Sequence, residues 1–175
     1  GRQREREQLE AALETVTEGR PTAVVLSGPS GIGKSSLSAE VLDTARNKGF
    51  LVLQGRCHER ERMPFAALDS LMDVLVEHLE GADAILVQPL IPHVRALRPM
   101  FSVLDAIDAS PLAPTPDVSL LRTRALRGFA GLVDTLQQIQ PTLLFIDDLH
   151  WVDGDSATLM TEVLDRARGR LMVLL

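Results

Sequence analysis

The sequence predicts a three-layer α/β domain with a mainly parallel central sheet, and three observations carry that expectation. Short aliphatic runs recur at 22–27 (TAVVLS), 50–54 (FLVLQ), 142–146 (TLLFI) and 171–175 (LMVLL). Each is the length of a strand and mainly apolar, the pattern of a strand buried on both faces. Stretches with helical periodicity separate the runs, and a glycine-rich turn joins the first run to the helix after it.

Residues 3–18 place Leu9, Leu13 and Val16 at helical spacing among Glu and Arg, an amphipathic helix that ends before Pro21. After the first run and its glycine turn, a helix is expected over about 33–47, stopped by Lys48-Gly49. With the run at 50–54 this makes a strand–helix–strand unit within about 30 residues, which implies a parallel sheet with a right-handed crossover. Met63-Pro64 leads into a helix over roughly 65–79, with Leu68, Leu71, Met72 and Leu75 as its stripe. Six of the ten prolines fall between Pro89 and Pro116, so short helical pieces ending in an open loop at 111–117 are expected. A long helix over 118–140 carries Leu121, Ala125, Phe129, Leu132 and Leu136 on one face. A last helix is expected over 155–168, ahead of the fourth run. The chain thus reads as one domain over 1–175, truncated after its fourth strand and so incomplete at its C-terminal end, with a helical insertion at about 56–140 between its second and third strands.

Composition narrows the function classes. The chain is 45% hydrophobic and 24% charged, as in a folded soluble protein. A net charge of −6 argues against a surface that binds nucleic acid directly, which needs a basic face. One cysteine excludes an intrachain disulfide, and Cys57 reads as a small half-buried residue. No apolar run approaches the ~18 residues a membrane span requires. A cytoplasmic protein with no membrane attachment is expected, and the charged first 20 residues do not resemble a leader.

The chemistry lies in two motifs. Gly28-Pro29-Ser30-Gly31-Ile32-Gly33-Lys34-Ser35 fits G-x-x-x-x-G-K-[ST] at every fixed position, between a strand and a helix. Successive backbone N–H groups must turn inward around phosphate oxygens, and Gly28, Gly31 and Gly33 permit the dihedrals that requires. The positive end of the following helix faces the same anion. Lys34 would reach the β- and γ-phosphates, the Ser35 hydroxyl would ligate Mg²⁺, and Ser36 continues the phosphate-side turn. A dinucleotide turn would need G-x-G-x-x-G, whereas this stretch has Gly31-x-Gly33-x-x-Ser36 and a lysine that such a turn leaves unexplained. ATP with Mg²⁺ is therefore the expected ligand, and the expected fold is that of the P-loop NTPases.

The second motif is the run at 143–146 ending in Asp147-Asp148. A hydrophobic strand of this kind brings a carboxylate to the metal at the sheet's carboxyl edge. Asp147 would hold Mg²⁺ through its water, and Asp148 would stand by the attacking water as base or orienter. Lys34 and Asp148 are thus the expected catalytic residues, and Ser35 and Asp147 the metal ligands.

Gly1-Arg2 with Glu5, GPSGIGKSSL and FIDDLHWVDGDS together resemble the AAA-related signal-transduction ATPases with numerous domains, and the resemblance covers essentially the whole chain. The segment GRCHERERMPFAALDSLMDVL at 55–75 is similar to ATPase modules of bacterial signalling proteins. The resemblance implies attached effector domains, a Ser/Thr protein kinase or a DNA-binding regulator, often with helical repeats. It places the strand at 171–175 between the first and third strands. It also implies polar sensor residues, a further strand and a helical lid past residue 175, and an adenine-side role for Gly1, Arg2 and Glu5. His150-Trp151 fall just past the third strand, where they would sense the γ-phosphate or pack on the next helix. Arg122, Arg124 and Arg127, like the charges at 59–62, read as solvated surface.

The function these residues imply is an ATP-dependent switch with slow hydrolysis. A small-molecule P-loop kinase and a nucleotide-binding scaffold without turnover are the alternatives.

Overall fold

A computed structural model describes residues 2–57, 66–112, 117–148 and 154–175, the side chains of Ala66, Ala67 and Asp155 excepted. Gly1, the charges at 59–62, Met63-Pro64, Phe65, part of the 111–117 loop and His150-Trp151 lie outside the described residues.

The described elements are α1 (Gln3–Thr17), β1 (Thr22–Val24), α2 (Lys34–Asn47), β2 (Leu51–Arg56), α3 (Ala66–Leu79), α4 (Ala84–Val87), α5 (Ile91–Leu97), α6 (Val118–Ile139), β3 (Thr142–Asp147), α7 (Gly154–Arg166) and β4 (Leu171–Leu174), with 3-10 turns at Gln88–Leu90 and Ser102–Ala106. All four strands are parallel, in the order β1-β4-β3-β2. The sheet is therefore α/β and parallel, as expected. The strand–helix–strand unit is parallel too, but its strands do not pair: β1 and β2 stand at opposite ends of the four described strands, with β4 and β3 between them.

Side-chain alternation feeds two cores. From β3, Leu143 and Phe145 join a cluster with Leu9, Leu13 and Val16 of α1 and Leu37, Val41 and Leu42 of α2. Leu144 and Ile146 face the other way, into a larger cluster with Leu68, Leu71, Met72 and Leu75 of α3, Phe129, Leu132 and Leu136 of α6, and Leu159 and Val163 of α7. Helices thus cover both faces, which is the three-layer arrangement. Cys57 belongs to the larger cluster and is buried rather than half-buried.

One strand departs from expectation. The run at 22–27 is not buried on both faces: Val24 and Leu26 pack on the α1–α2 cluster, while Ala23 and Val25 are exposed. Among the described residues β1 pairs with β4 alone, and its second face opens on a groove of about 280 Å³ bordered by Leu164, Ala167 and Val173. Its pairing still runs past Val24, since Leu26 N–H donates to Leu175 O at 2.7 Å.

Between β2 and β3, α5 packs across α6 through small residues. A Cβ on Gly128 would meet Ala96 Cβ at 2.8 Å, and one on Gly131 would meet the His93 ring at 2.4 Å. The turn after α5 is tied down by Arg98, buried itself, whose guanidinium donates to Asp105, Asp108 and Ser110 O. Asp117 caps α6, accepting from Ser119 N–H at 2.8 Å.

Candidate functional site

The carboxyl ends of the strands open on a cleft of about 700 Å³. Its walls are the end of β1 and the loop after it (Val25, Leu26, Ser27, Gly28, Ser30), the start of α2 (Lys34, Ser35, Ser38), the end of β3 (Phe145, Ile146, Asp147, Asp148) and Leu175. The glycine-rich loop and the double acid, about 110 residues apart in sequence, share one cavity.

The loop takes its shape from its glycines. Gly31 and Gly33 have φ of +78° and +92°, left-handed values that a side chain resists, and Gly28 has φ of +155°. Gly33 is also the N-cap of α2, and it supplies no capping side chain. The first N–H groups of α2 are thus left for an external acceptor, at the positive end of the helix. Lys34 Nζ donates to Gly28 O at 2.8 Å and to Pro29 O at 3.3 Å, so the ammonium spans the loop that precedes it.

Strand parity brings the first acid to the same side. Leu143, Phe145 and Asp147 lie two apart, so Asp147 shares the face that packs toward α2. Its Oδ1 accepts the Asp148 N–H at 3.0 Å. Asp148 then turns out of the strand at φ +57°, a conformation Asp tolerates better than most residues. Its Oδ2 accepts from Arg56 Nη2 at 3.0 Å and from Nε at 3.2 Å.

Arg56 was not singled out from the sequence. The second strand was expected to stop at Gln54, but it continues to Arg56, which pairs in register with Asp147. A strand aligned with 142–147 over its full length would have pointed to that residue.

Not every candidate faces the cleft. Gly28, Ser30, Lys34, Ser35, Asp147 and Asp148 line it. Ile32, Gly33 and Ser36 instead border a smaller groove on the outer side of the loop, together with Arg2 and Arg6. Glu5 is exposed in the first turn of α1. Arg122, Arg124 and Arg127 are exposed on α6, away from the cleft lining. Among the described residues, no three His, Cys, Asp or Glu side chains gather as a metal cluster, and no helix is long and apolar enough to cross a membrane.

The AAA ATPase domain family matches residues 1–174. An uncharacterised protein of Rhizobium meliloti (strain 1021) is 27% identical over 161 residues, which cover 84% of this chain and 15% of that protein. The chain therefore spans about one-seventh of that relative's length. No solved structure matches it significantly.

Proposed function

We propose that this chain, which belongs to the AAA ATPase domain family, is a nucleotide-switch module that binds ATP with Mg²⁺ and hydrolyses it slowly within a larger signalling protein. The observation that supports the reading best is the single cleft in which Lys34 and Ser35 meet Asp147 and Asp148. The AAA ATPase domain implies ATP binding, and the residues present suit it. The left-handed glycines and the uncapped start of α2 form a cradle for an anion. Lys34, released from Gly28 O and Pro29 O, would take the β- and γ-phosphates.

The donor set also suits Mg²⁺. One hydroxyl, Ser35, and one carboxylate, Asp147, are few ligands, but Mg²⁺ keeps several waters and draws the rest from phosphates. When bound, the cation would neutralise charge on the phosphate oxygens. Asp147 would hold it, and its bond to the Asp148 N–H fixes the carboxylate's orientation.

The place where Asp148 is held supports the slow-hydrolysis reading. To orient a water or take its proton, a carboxylate needs an oxygen within hydrogen-bond reach of it. Here Oδ2 receives both Arg56 contacts, so that oxygen is engaged before any water arrives. Asp148 is also one methylene shorter than a glutamate, and ~1 Å of misplacement costs on the order of a hundredfold in rate. A module whose ATP-bound state persists can report that state to attached domains, such as a kinase or a DNA-binding regulator.

Asp147→Asn tests the metal assignment. Titration with ATP in Mg²⁺ and again in EDTA, by calorimetry, is expected to show weaker binding only when Mg²⁺ is present. Equal losses in both buffers would make Asp147 structural.

A further inference from the structure

On the outer side of the loop a second cation is at work. The Arg2 guanidinium donates through Nη2 to the Ile32 carbonyl. It also lies against the next residue, since a Cβ on Gly33 would sit 3.9 Å from Arg2 Cζ. Arg2 is itself held in place. It is the N-cap of α1, and its own carbonyl accepts the Arg6 N–H at 3.1 Å. Arg6 then pairs with Glu40 of α2 at 2.7 Å, while Leu9, Leu13 and Val16 anchor α1 in the same core as Leu37 and Val41. Among the described residues only Arg2 and Asp148 are non-glycine residues with positive φ, and both contact the site's framework.

We propose that Arg2 is a positioning residue: its guanidinium, on the Ile32 carbonyl, sets the Ile32–Gly33 peptide plane and so aims the loop's N–H groups at the nucleotide. The inference rests on the nucleotide reading above. A trans peptide is planar, so its carbonyl and its N–H point in opposite directions. A guanidinium that pins the Ile32 carbonyl on the α1 side therefore turns the Gly33 N–H away from α1. Glycine alone cannot hold that orientation, because Gly31 and Gly33 can rotate freely between left- and right-handed backbone. Lys34 draws on Gly28 and Pro29 from one side of the loop, and Arg2 draws on Ile32 from the other. The consequence is a mechanical link. Any displacement of the start of α1 releases the loop, so α1 and the nucleotide site are coupled.

Three variants of the full chain test it: Arg2→Ala, Arg2→Lys, and Arg4→Ala as a control that removes the same charge from the exposed first turn of α1. Two readouts are taken, ATP·Mg²⁺ affinity by calorimetry and amide hydrogen exchange at residues 29–34 without nucleotide. Arg2→Ala is expected to lose about fivefold in affinity, the upper end for an exposed charged contact. It should also exchange faster at 29–34. Arg2→Lys should fall between it and wild type, and Arg4→Ala should match wild type in both. Unchanged exchange in Arg2→Ala, or an equal effect of Arg4→Ala, would overturn the proposal. If wild type fails to bind ATP, the nucleotide reading falls, whereas the exchange measurement still decides whether Arg2 holds the loop.

Discussion

The two faces of the sheet do different work. On one, α1 and α2 cover the strands with a small cluster, and the glycine loop, Lys34 and Asp147 rise from its upper edge. On the other, α3, α5, α6 and α7 build the larger cluster, where Leu68, Leu71, Met72, Leu75 and Phe129 are fully buried. The same alternating strands serve both, with Leu143 and Phe145 to one side and Leu144 and Ile146 to the other. The difference shows how the two faces separate stability from chemistry. Hydrophobic burial scales with apolar area removed from water, so the larger cluster holds most of the folding energy. The thin face is free to carry strained backbone, an uncapped helix start and a lysine bonded only to carbonyls.

Substitutions on each face can break or sharpen that division. The largest effect belongs to Phe129→Ala, which empties the centre of the larger cluster. It is expected to cost about 3–5 kcal/mol, read as a lower denaturation midpoint with an unchanged m-value. A cost below about 1 kcal/mol would mean that the stability lies elsewhere.

Lys34→Ala is the counterpart on the thin face. It should reduce ATP affinity by at least about tenfold, or ~1.4 kcal/mol, while leaving the denaturation midpoint near that of wild type. Calorimetry and a denaturant curve on the same preparation check both halves. A large loss of stability would show that the loop is part of the fold's scaffold.

Arg56→Ala should act on turnover rather than on binding. The Arg56–Asp148 pair is exposed, with side-chain exposures of 61% and 35%. Such pairs contribute at most about 1 kcal/mol, so freeing the carboxylate should raise single-turnover hydrolysis by up to about fivefold. A slower rate would instead make Arg56 part of the machinery that Asp148 needs.

The smallest effect is a pH dependence in the region between β2 and β3. Hydrogen bonding from Arg95, with help from Ser110, lowers the Asp108 pKa from 3.8 to about 2, against the opposing effect of desolvation. A carboxyl with a depressed folded-state pKa stabilises the fold above its unfolded value and loses that contribution as pH falls toward the folded one. Stability should therefore decline between about pH 4 and pH 2 in wild type, and less steeply in Asp108→Asn. Denaturation midpoints measured across that range, with identical slopes for both proteins, would remove Asp108 from the acid response.

Local patterns carried a great deal of this molecule. The stripe of Leu68, Leu71, Met72 and Leu75 is buried as its spacing implied, and α1, α2 and α6 begin and end within a residue or two of the expected positions. Periodicity suffices there because burying one face is a property of the helix itself. The glycine loop was equally legible, since its chemistry needs fixed residue types at fixed spacing. An apolar run, by contrast, says that a strand forms and not where in the sheet it will lie. The run at 22–27 read as buried on both faces, whereas among the described residues β1 pairs with β4 alone and leaves Ala23 and Val25 exposed, because neighbours are set by how the helices pack and the chain crosses. Arg56 was hidden for the same reason, and Arg2 was named only through a resemblance that gave it an adenine-side role, with no sign of the carbonyl it meets. Arg56 bonds a carboxylate 92 residues away, and Arg2 bonds a carbonyl 30 residues away. Sequence by itself determined which segments become strand, helix and phosphate loop, because those follow from local backbone preference and apolar spacing. Only the tertiary structure decided which charged groups meet, because an exposed arginine carries no local mark of its partner until parallel strands and packed helices bring their ends to one edge.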